Sequence, residues 1–233
     1  MTPDPVHEER HLQSSDFLTD IVIGMSDGLT VPFALAAGLS AAVSSTGIIL
    51  TAGIAEIAAG AIAMGLGGYL AGKTEQDHYN SELKREYDEV RKVPEKEKQE
   101  VRDILANLGL SEDIQRQAAE EMAQNKKLWV DFMMKYELGL DKPDPKRARN
   151  SALNIGLSYI VGGLIPLSPY FFVHQPLTGL KYSCLITAVC LFIFGYFKAS
   201  ITAQNPWKGA LRVLVIGGLA AAAAFFVARL FEP

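Results

Sequence analysis

A length of 233 residues leaves room for one membrane domain and one small insert. The composition is 49% hydrophobic and 21% charged, with a formal net charge of −4, a balance that sets nucleic acid aside as a partner. That average conceals apolar runs of bilayer length and one charged stretch, Glu82 to Glu137, which holds 14 of the 26 acidic and 11 of the 22 basic residues and so belongs in water.

Residues 1–16 are polar and acidic and lack the basic n-region and short apolar core of a secretory signal. The first apolar run, about Phe17 to Val43, is long enough to span a bilayer. It carries Asp27 between Gly24 and Gly28, with Pro32 beyond. A carboxylate at mid-membrane costs roughly 2.5–3.5 kcal/mol on insertion scales. Such a residue normally faces a bundle interior or a watery path. The Gly24-x-x-x-Gly28 pair leaves a shallow groove where another helix can approach.

Ser44-Ser45-Thr46-Gly47 makes an uncharged turn. The second span starts near Ile48 and runs through Glu56, Met64 and Gly68 to about Lys73. No breaker follows before Pro94, so the helix is expected to continue past the bilayer. Glu56 is a second acid in an apolar run, and Met64 lies about 80° round the helix from it, so both can border one cavity. A methionine in a span equally serves as packing.

Pro94 suits the first turn of a new helix and Gly109 its end. Ser111 with Glu112 and Asp113 reads as a cap and acidic first turn, opening a helix that runs to about Leu138 and stops at Gly139. Asp144-Pro145 starts the next span, about Ala148 to Leu167, ended by Pro166 and Pro169. The fourth covers about Leu177 to Ala203, and Asn205-Pro206 separates it from the fifth, Trp207 to about Phe231. Cys184 and Cys190 are six apart on one helix, point to different sides, and suggest neither a disulfide nor a metal pair.

The chain thus reads as all-α, a five-span polytopic membrane helix bundle with a three-helix insert between spans 2 and 3. Its divisions are a polar N-terminus (1–16), spans 1–2 (17–73), a helical metal-binding domain including the extension of span 2 (74–145), and spans 3–5 (146–233). Lys146, Arg147 and Arg149 precede the third span, and Lys198, Lys208 and Arg212 surround the last loop. The first loop has no Lys or Arg, and the loop after the third span has only Lys181. The positive-inside rule then places the N-terminus and insert in the cytosol and the C-terminus across the membrane.

Glu86 and Glu89 are three apart on the extension of the second span, and Glu97 and Glu100 repeat that spacing on the next helix. Each pair can turn two carboxylates toward one ion, and two helices meeting near Pro94 can join four. The same spacing describes a solvated face, with Arg85, Lys96 and Lys98 alongside. Met133, Met134 and Glu137 add thioethers and a carboxylate. That mixture suits Fe²⁺ and its neighbours better than Mg²⁺ or Ca²⁺, although two methionines also fit a small helical core. His7, His11, His78 and His174 form no cluster, and there is no Cys-x-x-Cys, which disfavours a structural zinc site. Glu75-x-x-His78 has di-iron spacing but lacks the second copy such bundles need. There is no Walker-type glycine loop, which argues against an ATP-driven pump.

The run Asp27-Gly28-Leu29-Thr30-Val31-Pro32-Phe33-Ala34-Leu35-Ala36-Ala37-Gly38-Leu39 resembles the first-span signature of the vacuolar iron transporter family, and Glu56 to Gly72 resembles its second span. The likeness covers nearly the whole chain and is strongest to the plant branch. It implies a homodimer of five-span protomers in the vacuolar membrane, exchanging protons for Fe²⁺ and other divalent metals such as Mn²⁺, Co²⁺ and Zn²⁺. It implies no prosthetic group and no enzymatic activity. Asp27, Glu56 and Met64 match the family's translocation path, and Glu86, Glu89, Glu97, Glu100, Met133, Met134 and Glu137 match its cytosolic metal site. Nodulin-like members lack the insert, so its presence points to the iron-transporting branch. The readings from other classes are a membrane-anchored ferroxidase, which needs a closed di-iron site, and a metal sensor or scaffold.

Overall fold

The computed structural model describes residues 16–230, so His7 and His11 lie outside the described part. All regular elements among the described residues are helical. The order is α1 (Asp16–Ala42), α2 (Thr46–Lys92), α3 (Pro94–Asn107), α4 (Glu112–Ala123), α5 (Lys126–Tyr136), α6 (Arg147–Leu167), a short 3-10 turn (Ser168–Phe171), α7 (Pro176–Ile201) and α8 (Pro206–Leu230). The chain divides into two compact units, Met1–Tyr69 with Arg149–Pro233, and Leu70–Ala148.

Five helices are long and apolar enough to cross a membrane: α1, α2, α6 with its 3-10 turn, α7 and α8; the first unit holds them, with α2 only as far as Tyr69. Large apolar side chains face outward along them, Ile62 at 72% and Leu219 at 65% exposure among them. Such exposure would be costly in water and is the normal state in lipid.

Glycine decides how α6 meets its neighbours. A Cβ on Gly24 would press on the carbonyl of Ile155, and one on Gly28 on the carbonyl of Tyr159. The groove expected along α1 is therefore real, but it is filled by α6 of the same chain, because only glycine lets the two backbones come so close. From α2, Gly60 faces the Tyr159 ring and Gly65 the Ala152 carbonyl. Because backbone cannot rotate aside, Gly28→Val is expected to cost at least about 3 kcal/mol. Gly67 has open space around it, so Gly67→Ala should stay within about 1 kcal/mol. Thermal unfolding of the two variants in detergent checks the contrast.

The third apolar helix ends at Leu167, as expected, with Pro166 inside its last turn and Pro169 in the 3-10 turn that follows. Hydroxyls take up backbone groups at this end. Ser168 Oγ donates to the carbonyl of Ile165 at 2.7 Å, the group that Pro169 cannot reach for want of an N–H, and Ser183 Oγ donates to Pro166 O at 2.7 Å. In a bilayer no water is available for that task.

In the second unit, the end of α2 packs with α3, α4 and α5 around Val90, Val101, Leu105, Ala119, Trp129, Val130, Met133 and Met134. Pro94 opens α3, and Gly109 and Gly139 take positive φ of 84° and 65° after α3 and α5, as their positions suggested. The helix expected from Ser111 to Leu138 is two helices. The break comes at Gln124-Asn125, where the Asn125 side chain accepts from Leu128 N at 3.2 Å and caps α5. At the unit's end, Asp144 Oδ1 accepts from Lys146 N at 2.8 Å, which turns the chain into α6.

Candidate metal and translocation sites

Glu86 lies near the end of α2, Glu97 in the first turns of α3, and Glu137 at the C-cap of α5. One carboxylate oxygen from each lies within 4.8 Å of the other two. Glu86 and Glu97 are 0% and 1% exposed, while Glu137 is exposed. None of the four oxygens of Glu86 and Glu97 has a hydrogen-bond partner. Buried charge without a partner is strongly unfavourable, and such groups are normally paired or coordinate a cation. Small side-chain rotations would bring three oxygens around one divalent ion.

The spacing alone treated the two i,i+3 pairs alike, and the structure separates their members. Glu89 and Glu100 are half-buried and engaged by cations: Glu89 by Arg85 at 3.8 Å and Glu100 by Lys96 at 2.8 Å. Those two have cationic partners, which Glu86 and Glu97 lack. Glu86 and Glu97 turn inward instead. Burial pushes the Glu86 carboxyl up to about 7, with the negative charges of Glu137 and Glu89 adding and Arg85 opposing. Burial likewise raises Glu97 to about 7, helped by Glu100, Glu86 and Glu89. Glu137 is raised too, by burial and by Glu100 and Glu89, against Lys96 and Arg85. All five carboxylates therefore share one field. Met133 and Met134 are 0% and 1% exposed and belong to the apolar core of this unit. Each fills core volume wherever its sulfur is directed.

In the apolar unit, Asp27, Glu56 and Met64 are all half-buried. Glu56 Oε1 accepts a short hydrogen bond from the Tyr159 hydroxyl, and Glu56 Oε2 is buried without a partner. Tyr159 is 2% exposed on α6. Gly28, next to Asp27, touches the Tyr159 backbone, so α6 lies against both acid-bearing helices at this level.

Two residues were not singled out in the sequence. Asp20 is 1% exposed and accepts from Ser151 Oγ at 2.9 Å and Asn154 Nδ2 at 3.3 Å. Its one local signal is the seven-residue step to Asp27, which keeps both on one helix face. Tyr159 carried no signal, since its partner lies 103 residues away. Glu75, His78 and His174 are exposed, and the Glu75-x-x-His78 pair joins no other ligand among the described residues. Cys184 and Cys190 are free thiols.

Five helices of membrane-spanning length and composition, acids set among them, and a separate unit presenting a carboxylate trio describe a multi-pass helical membrane protein, with orphaned carboxylate oxygens at Glu56 in one unit and at Glu86 and Glu97 in the other. The profile of the VIT family matches residues 18–229. Vacuolar iron transporter 1 of Tulipa gesneriana is 52% identical over 96% of this chain and 90% of its own length. Vacuolar iron transporter 1 of Arabidopsis thaliana is 50% identical over 97% of this chain and 90% of its own. Protein CCC1 of Saccharomyces cerevisiae is 42% identical over 91% of this chain and 68% of its own. The chain belongs to the VIT family, and its plant relatives are transporters by name, not enzymes.

Proposed function

We propose that this protein is a proton-coupled antiporter that moves Fe²⁺, and other divalent transition metals, from cytosol into the vacuole. The observation that carries the reading is the pair of buried, unpartnered carboxylates at Glu86 and Glu97 beside Glu137. The names of the relatives support iron as the cargo. Glu86, Glu97 and Glu137 hold the arriving ion, Glu89 and Glu100 add negative potential, and Met133 and Met134, in the core of the same unit, are the soft donors that the family likeness implies. The ion then passes Met64, Glu56 and Asp27. A carboxylate in an apolar unit needs a positive partner, and either a metal ion or a proton serves. Competition between the two is the physical basis for exchange.

On this reading the N-terminus and the helical insert face the cytosol and the C-terminus faces the lumen. Assembly as a homodimer rests on the family likeness, since the α1 groove is occupied from within the chain. Purified protein in liposomes with an acidic interior tests the proposal. Added Fe²⁺ or Co²⁺ is expected to enter while a trapped pH dye reports loss of protons. Uptake no faster than in protein-free vesicles refutes it, and uptake without proton efflux refutes the coupling.

A further inference from the structure

Tyr159 touches the interior acids in a way that bears on which metals pass. Its hydroxyl occupies Oε1 of Glu56, leaving Oε2 buried and without a partner. The phenol has little freedom to leave. Its ring packs on Gly60 of α2, where any side chain would collide with it, and its backbone is held against Gly28 of α1. It is 2% exposed. Glu56 is thus held with one oxygen committed and one available.

We propose that Tyr159 is a specificity-determining positioning residue, which holds Glu56 as a one-oxygen ligand and thereby disfavours Ca²⁺ against the smaller transition-metal ions. This rests on the reading that Glu56 lines the path. Ca²⁺ takes six to eight oxygens at about 2.3–2.6 Å and often draws both oxygens of a carboxylate. Transition-metal ions manage with fewer ligands at shorter range, about 2.0–2.2 Å for carboxylate oxygen on Zn²⁺. A carboxylate that offers one oxygen therefore removes more from Ca²⁺ than from Fe²⁺ or Co²⁺. The ring fills the cleft over Gly60, and the hydroxyl sets the denticity.

The test uses the full-length protein in liposomes, with Co²⁺ as the redox-stable transported ion and Ca²⁺ as competitor. In the wild type, Ca²⁺ in ~100-fold excess is expected to leave Co²⁺ uptake unaltered. In Tyr159→Phe, which keeps the ring, the Ca²⁺ concentration for half-inhibition should fall at least about tenfold relative to the Co²⁺ half-saturation. A folded Tyr159→Phe protein with wild-type insensitivity to Ca²⁺ overturns the inference. Should that variant not fold, half-inhibition of the wild type by equimolar Ca²⁺ overturns it, and insensitivity of the wild type supports it. Glu56→Gln separates the two levels. Undiminished transport by Glu56→Gln sinks the path reading, whereas its loss, together with an unchanged Ca²⁺ response in Tyr159→Phe, sinks only the role of the phenol.

Discussion

Glutamine at both Glu86 and Glu97 is expected to flatten the pH dependence of the second unit's stability and to abolish its protection by divalent metal. The sign follows from the raised carboxyls. Both groups titrate at about 7 in the folded protein, against 4.5 as the ordinary value. Between those values the folded chain holds protons that the unfolded chain has released. Stability from this source is complete below the ordinary value and is lost as pH rises through about 7. The loss is of the order of a few kcal/mol for the two carboxyls taken as a pair. Glutamine carries no titratable proton, so the double variant should be steadier than the wild type at pH 8 without metal. With Fe²⁺ or Co²⁺ the order reverses, because only the wild type gains stability from an ion that binds the folded state. Hydrogen exchange at Val90 and Val101 in the intact protein, corrected for intrinsic rates, reads both effects. An equal metal-induced slowing of exchange in wild type and double variant would remove Glu86 and Glu97 from the site. In transport, the same variant should raise the half-saturating metal concentration while retaining most of the maximal rate.

Asp27→Ala should do the opposite. Metal-dependent proton flux in liposomes is expected to fall about 100-fold or more, because a cation left without its buried counter-charge loses roughly 3 kcal/mol or more. Protection of the second unit by metal should persist, since the carboxylate trio is intact in this variant. Wild-type flux in Asp27→Ala would eliminate this carboxylate from the path. The two variants thus separate capture from passage: one raises the concentration needed, the other lowers the rate.

The five apolar helices were legible because their signal is local. Each is an uninterrupted apolar run, and the structure places their ends within a few residues of expectation. The break at Gln124-Asn125 was missed because neither glycine nor proline marks it. The marker was Asn125 itself, a good cap within a polar run. The acid pairs show where local reasoning stops. Glu86 and Glu89 look alike by spacing, as do Glu97 and Glu100. Which member turns inward depends on the side occupied by Val101, Val130, Met133 and Met134, and that is set by helices distant in sequence. Tyr159 and Asp20 were invisible for the same reason, since their partners lie on other helices. The occupant of the Gly24-Gly28 groove was also a matter of tertiary packing, and α6 takes the place that another helix had seemed free to fill.

The chain contains two tryptophans. Trp207 lies in the apolar unit, with ring centroids 5.9 Å from Phe192 and 5.6 Å from Tyr196. Trp129 sits in the other core, 3% exposed, one helical turn before Met133 and with no partner for its indole nitrogen. Replacing Trp207 with Phe leaves red-edge emission to one indole beside the thioethers. The intact protein then carries an intrinsic fluorophore inside the carboxylate-bearing unit, and ion arrival there becomes an optical signal that needs no attached dye.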